Sequence, residues 1–416
     1  MKKTLILVVL LLACISMGMV GCASQNNTQQ VFELQDQDEI TEVVNTPVLE
    51  EIVEEKSTEE NVVVIKKDDS STQDVKDESN TSITEVTGSN DLSLESVGMA
   101  GISIELTDVA SGKEITGYSN VTKEDVVLAK GENTIVGIGA GAFKNLTTIK
   151  SIDLSSLTDL TYISEKAFLG CTNLTTIKLP SSVTSFGKLA FYQTKWLDVQ
   201  RANSDQRLVI VNNVLVDGKT VEGDVVIPDT VTSIAPSAFS YNYKMTSLTI
   251  GASSPLVDIP EQAFCNCIAL KTVSIPTIKT IGERAFMSCK KLTTISMSNL
   301  NTIGNMSFAN CAALTALDFV ACQNFRSIDY GAFMGCSKIE TVNFGVSIET
   351  IGIAAFYQCE SLNKIEFSSS NLASIGDGAF QACSKLATVT GINSASIGIG
   401  AFFGTKYSSG VWLIEL

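Results

Sequence analysis

The stretch Ile281-Gly282-Glu283-Arg284-Ala285-Phe286-Met287-Ser288-Cys289-Lys290-Lys291-Leu292 recurs, with substitutions, along most of the chain. Its phenylalanine has counterparts at Phe143, Phe168, Phe191, Phe239, Phe264, Phe308, Phe333, Phe356, Phe380 and Phe402. Successive spacings are 25, 23, 48, 25, 22, 22, 25, 23, 24 and 22. Ala precedes ten of the eleven, and Ser307 stands before Phe308. A period of this length is that of a repeat whose unit is a strand plus a return segment. One unit cannot bury its own apolar face, so the units must stack into a solenoid.

Working outward from the phenylalanine, an isoleucine lies five residues upstream in every unit except that of Phe191, where Phe186 replaces it. Apolar residues follow at nine and eleven residues downstream, as in Ile177 and Leu179, Val273 and Ile275, and Val342 and Phe344. Alternation of that kind marks a short strand with one face buried. Stacked in parallel at about 4.8 Å, such strands form one long sheet. Length variation falls between the strand and the next phenylalanine, in turns such as Leu179-Pro180-Ser181-Ser182. The expected fold is therefore a β-rich solenoid of about eleven coils built on a parallel sheet of short strands.

Seven units carry Cys three residues after the phenylalanine: Cys171, Cys267, Cys289, Cys311, Cys336, Cys359 and Cys383. Metal sites use locally paired ligands, and Cys265-Asn266-Cys267 is the one close pair in this column. A column at the period of the repeat favours small buried hydrophobes in a tight turn, with a disulfide between neighbouring coils as the alternative.

The pattern I-G-x-x-A-F-x-x-C-x-x-L resembles the BspA-type (Treponema-type) leucine-rich repeat, over about residues 134–407. The doubled spacing after Phe191 resembles that family's insertion, here 196–222, with a hairpin-like Leu208–Gly218 followed by Val225-Val226-Ile227-Pro228. Asn212-Asn213 and Asp217-Gly218 suit tight reversals. The resemblance implies a surface protein that adheres to proteins of a host or of neighbouring cells.

The front end differs in kind. Lys2-Lys3, the apolar run Leu5–Leu12 and Met19-Val20-Gly21-Cys22 have the layout of a secretory signal over residues 1–21. A Cys directly after small residues resembles the bacterial lipobox, which implies lipidation of Cys22 and anchoring at the cell surface. Residues 22–91 hold eighteen Asp and Glu against four Lys, and the whole chain carries −16. Such a segment reads as a disordered, extended tether. Residues 92–133, with short strand-like runs, and 408–416 are expected to cap the two ends of the solenoid.

No histidine occurs anywhere, which removes the commonest general base and most zinc sites. There is no Walker A loop or dinucleotide fingerprint, and Gly137-Ile138-Gly139-Ala140-Gly141 sits in the repeat's own turn. The repeats carry little net charge and no basic patch, so nucleic acid is excluded as a partner. The expectation is a binding protein without cofactor or metal, and not an enzyme. Its candidate face is the outward strand positions: Thr176, Lys178, Thr272, Ser274, Thr294, Ser296, Asp318, Thr341, Asn343, Lys364 and Glu366. The insertion adds Trp196 and Arg201, residue types favoured at hot spots. Trp196 could equally seal the coil where Thr194 replaces the usual Cys. A hydroxyl-rich face also admits a polysaccharide, so a carbohydrate-binding or envelope-scaffold protein is the alternative.

Overall fold

The computed structural model describes residues 103–121, 123–129, 133–368, 371–392 and 395–407. The signal segment, Cys22, the acidic tether and the 408–416 cap lie outside the described residues.

Each coil hands over to the next through three ladders. The first is the outward strand, such as Thr272–Ser274 and Thr294–Ser296, paired in parallel with Thr272 opposite Thr294. Eleven such strands run from Asp125–Val127 to Thr388–Thr390, grouped into sheets of three, four and four. The second ladder is absent from the sequence reading. The isoleucine column forms two-residue strands such as Thr280–Ile281 and Thr302–Ile303, again parallel. Seven of these make one sheet from Asp258–Ile259 to Ser396–Ile397. At the front, the antiparallel hairpin Ser103–Val109 and Gly112–Ser119 joins the same ladder, because Gly112–Ser119 pairs in parallel with Ile135–Ile138.

The third ladder has no strand geometry. Around nine of the eleven phenylalanines, all but Phe191 and Phe402, the N–H groups two before, at, and two after it donate to carbonyls of the next coil. Arg284 N–H reaches Asn305 O (2.9 Å), Phe286 N–H reaches Ser307 O (2.7 Å) and Ser288 N–H reaches Ala309 O (2.8 Å). The geometry needs a left-handed residue on both sides of the phenylalanine. Arg284 and Ser288 have φ of 53° and 61°, and Met306 and Asn310 have 52° and 62°. For a residue other than glycine this costs about 1–3 kcal/mol, and it persists where neighbours over-determine the backbone. Here the donors on either side are fixed by the next coil.

Between the ladders the phenylalanines stack. Phe286 and Phe308 are 5.2 Å apart at 4°, and Phe308 and Phe333 are 5.2 Å apart at 2°. Ten of the eleven rings are buried, with Phe402 half-buried, and the isoleucine column is buried as far as Ile375, with Ile397 exposed in the last coil. The buried residues form two clusters, one from Ile104 to Ala235 and one from Leu208 to Ala401. The division falls at the insertion.

Candidate functional site

On the outward sheet the alternation places every named face residue at the surface. Thr176, Lys178, Thr272, Thr294, Ser296, Asp318, Thr341, Asn343, Lys364 and Glu366 are exposed, and Ser274 is half-buried. Their neighbours Val273, Leu317, Val342 and Ile365 are buried. Two charged pairs on this face are committed, while Asp318 meets no cation among the described residues and accepts only from Val320 N–H at 3.0 Å. Lys178 Nζ lies 2.8 Å from Asp153 Oδ2, and Lys364 pairs with Glu366 at 2.6 Å. The Lys178 ammonium, with the Ser155 hydroxyl, holds the Asp153 carboxyl down to about 2. Between those pairs, Thr272, Ser274, Thr294, Ser296, Thr341 and Asn343 make no side-chain hydrogen bond among the described residues. This part of the face is a field of free hydroxyl and amide groups with the Asp318 carboxylate among them, opposite Asn343.

The hairpin expected at Leu208–Gly218 is present, but the insertion holds more than that hairpin. It opens with a helix, α1 (Lys195–Asn203), followed by a single 3-10 turn, Asp205–Arg207. Thr194 decides the helix, because its Oγ1 accepts from Leu197 N–H at 3.2 Å while donating to Phe191 O at 2.8 Å. Thr is a good N-cap. Only then come the hairpin strands Val209–Val211 and Val214–Asp217. Asn212 and Asn213, with φ of 48° and 64°, form the tight reversal between them.

This construction corrects two of the candidate residues. Trp196 is 5% exposed, with its ring 4.6 Å from Phe191, so it closes the first block's core and presents no surface. The Arg201 side chain is 16% exposed and gives Asp217 two parallel hydrogen bonds, at 2.9 and 3.0 Å, and Asp198 one at 3.1 Å. Burial acts to lower the Arg201 guanidinium, but its bonds to Asp217 and Asp198 outweigh that and raise it. Beside it Lys219 donates to Ser240 Oγ (2.5 Å) and Ser240 O (3.1 Å), and burial lowers its ammonium despite the nearby Asp217 charge. Neither Trp196 nor Arg201 belongs to the exposed face.

Two hollows flank this junction. A cavity of about 20 Å³ lies between Leu189, Phe191, Asp217, Lys219 and Ser237. A larger open cleft, about 460 Å³, lies between the end of α1, the 3-10 turn and two strands, with Asp205, Leu208, Ile210, Val226 and Pro228 in its wall. Sequence reasoning missed this cleft. It also missed the exposed pair Tyr241 and Tyr243, which meet edge to face at 6.4 Å beside the insertion.

The cysteine column holds no site. Its members are free and buried, and each S–H donates to the phenylalanine carbonyl of the preceding coil. Cys289 Sγ reaches Phe264 O at 3.2 Å and Cys311 Sγ reaches Phe286 O at 3.2 Å. Burial pushes the Cys171 thiol up to about 12, and the thiols of Cys267, Cys289, Cys311, Cys336 and Cys359 also rise. Among the described residues no group of three or more His, Cys, Asp or Glu could hold a metal ion.

The family described as "BspA type Leucine rich repeat region" matches in six copies, over residues 120–208, 221–325 and 315–411. The gap after 208 falls on the insertion. No curated protein matches the chain. Similar solved structures include a leucine-rich repeat protein from Bacteroides ovatus ATCC 8483, 21% identical over 74% of this chain and 91% of that one, with a TM-score of 0.33. Another is a leucine-rich repeat protein from Eubacterium ventriosum ATCC 27560, 18% identical over 76% of this chain and 96% of that one, TM-score 0.42. A third is described as a leucine rich cell surface protein from Faecalibacterium prausnitzii A2-165, 19% identical over 64% and 95%, TM-score 0.32. At these identities the likeness concerns the fold alone. The repeat pattern and the family match cover the same residues, and the chain belongs to the BspA-type leucine-rich repeat family.

Proposed function

We propose that this protein is a lipid-anchored surface protein that binds proteins of a host or of neighbouring cells through its outward sheet. The observation that carries the reading is the uncommitted centre of that sheet, where Thr272, Thr294, Ser296, Thr341 and Asn343 are exposed on a rigidly backed surface. A standard interface takes roughly 800 Å² from each partner, and a face of eleven strands has the length to supply it. Cys22, at the end of a signal-like segment, supplies the anchor, and the acidic residues 22–91 hold the repeats away from the membrane. A similar solved structure is described as a cell surface protein, which supports the location.

A second reading, polysaccharide binding, rests on the same field of hydroxyl and amide groups. One assay separates the two. The full chain is measured for adhesion to immobilised extracellular-matrix proteins and, beside them, to cell-wall polysaccharides. The double substitution Thr294→Arg, Ser296→Arg, which crowds the centre of the face, should abolish adhesion to protein. Adhesion unchanged by it sinks the face assignment, and adhesion to polysaccharide alone selects the second reading. Cys22→Ala should release the protein from membranes, and a variant that still fractionates with them rules out the anchor.

A further inference from the structure

We infer that the cleft beside Val226 is a strand-addition site for an extended peptide that carries basic residues next to small apolar ones. The inference rests on the protein-binding reading above and adds a second, separately testable contact.

The starting point is a break in the outward ladder. The strand Thr176–Lys178 ends the first sheet, and Gly223–Ile227 begins the next, with the insertion between them. The first of these edges is covered. Trp196 N–H donates to Leu174 O at 2.6 Å, and Lys195 Nζ lies 3.4 Å from Asn173 Oδ1, so the start of α1 sits over that coil. Among the described residues the second edge has no strand beside it. Gly223–Ile227 is the terminal strand of its sheet, as Val209–Val211 is of the neighbouring three-stranded sheet. Residues of both strands, Val226 and Ile210, line the same cleft.

The register fixes which backbone groups point into it. Lys271 N–H bonds Thr246 O, so Thr246 faces the following coil, and Ser247 faces back towards its partner Asp224. In a parallel pair a residue bonds the two neighbours of its partner. Ser247 therefore takes groups of Gly223 and Val225, and the N–H and C=O of Asp224 and Val226 are left on the open side. Unpaired groups two residues apart are what an added strand needs. Native edges are usually covered, charged or ended by proline. Pro228 ends this one, yet Val226 stays 53% exposed in the middle of it.

Charge and polarity say what fits. The wall holds Leu208, Ile210 and Val226 as apolar contacts, with Asp205 as its charge, and no cationic side chain lines it. Asp224 and Asp229 flank Val226 and Pro228 outside the wall. Their carboxylates accept from hydroxyls of the following coil, Thr246 at 2.9 Å and Ser247 at 2.7 Å for Asp224 and Ser253 at 2.6 Å for Asp229, and no cation among the described residues bonds either. An extended segment of alternating valine and lysine would place its backbone along Val226, its apolar groups on the wall and its ammonium groups against these carboxylates.

The probe is the capped heptapeptide Lys-Val-Lys-Val-Lys-Val-Lys, labelled and titrated into the full chain by fluorescence anisotropy, beside the peptide with glutamate in place of each lysine. The lysine peptide should bind and the glutamate peptide should not. Val226→Pro removes the N–H that faces the cleft at an edge position where proline is tolerated, and it should weaken binding about tenfold or more, the loss of one or two hydrogen bonds. The pair Asp205→Lys, Asp224→Lys keeps the edge and should reverse the preference to the glutamate peptide. Equal binding by Val226→Pro, as attachment to the acidic residues 22–91 would give, overturns the inference, and so does an unchanged preference in the lysine pair. Thr294→Arg, Ser296→Arg should leave peptide binding intact, so adhesion lost there with no peptide binding anywhere sinks this site and leaves the face standing.

Discussion

Two handovers in this chain do the same job with different chemistry. Between ordinary coils, as from Phe286 to Phe308, three backbone N–H groups and one thiol cross the gap. Between Phe191 and Phe239 none of the corresponding donors crosses. The N–H of Gly218 occupies the place that Phe191 would take and bonds Ala238 O at 2.8 Å. The Lys219 ammonium bonds Ser240 O, the carbonyl that would otherwise meet the N–H of Gln193. Gly218 is needed for a close approach, since a Cβ there would come within 2.2 Å of the Phe239 ring. An interruption of the backbone ladder thus brings charged side chains into the interior, and Asp217 with Arg201 keeps that charge compensated. The regular coils need no such groups.

The column three residues after each phenylalanine records the same contrast. Cys occupies it where a preceding phenylalanine carbonyl is available to accept the S–H. Leu146 has no earlier coil. Thr194 leaves the stack as the cap of α1. Asn242, first after the insertion, donates to Gly218 O and Val221 O and accepts from Lys244 and Met245 N–H, so all its groups are used. Thr405, in the last coil, bonds back to Phe402 O at 2.8 Å. The exceptions to the column mark the ends of the two blocks.

The largest expected effect separates the two regions by pH. The regular coils bury thiols whose ionisation is pushed up, with Cys171 moved from 9.0 to about 12 by burial. A group raised in the folded state keeps its full contribution below the unfolded value and loses it as pH rises towards the folded one. For Cys171 that window runs from about 9 to about 12. By pH 10 the Cys171 thiol gives up about 1.4 kcal/mol, and the other raised thiols act in the same direction, against a total stability of about 5–15 kcal/mol for an ordinary domain. The coils should therefore unfold cooperatively as pH rises through 10, followed by circular dichroism. Stability that stays level from pH 8 to 11 would contradict the buried, protonated column.

Within the coils, Phe286→Ala removes one ring from a continuous stack and should cost about 3–5 kcal/mol, measured by chemical denaturation. At the junction, Asp217→Ala strands the Arg201 guanidinium and should cost about 3 kcal/mol. The sharper comparison is the pair Asp217→Leu, Arg201→Met, which removes both charges together and should recover most of that loss. No recovery would mean that the bidentate pair holds the two blocks by more than mutual compensation. A Phe286→Ala variant as stable as the parent would end the argument that the ring column carries the regular stack.

Much of this architecture was legible from the repeat. The phenylalanine and isoleucine columns are the core, and the alternation after Phe264 puts Thr272 outside and Val273 inside. The second sheet was not legible, because strands of two residues leave no period to detect. Nor was α1: Lys195–Asn203 has few apolar positions, and its start depends on the single hydroxyl of Thr194. Arg201 and Trp196 were picked by residue type, which says nothing about partners. The bidentate partner of Arg201 is sixteen residues away, across a hairpin whose register only the fold supplies. The cleft escaped notice for the same reason, as an open edge is a property of what fails to pair.

The smallest stability effect bears most directly on function. Thr294 is exposed, and its hydroxyl makes no bond among the described residues. Thr294→Ala should change stability by no more than about 0.5 kcal/mol, as other surface substitutions do. The same substitution sits in the field of free hydroxyl and amide groups, so a partner seated there should lose adhesion even though the fold is untouched. Denaturation and adhesion measured on one preparation decide the matter. A loss comparable to Phe286→Ala would mean that the strand faces are assigned the wrong way round. Full stability with full adhesion would move the contact away from this column, towards the cleft or the Tyr241–Tyr243 pair.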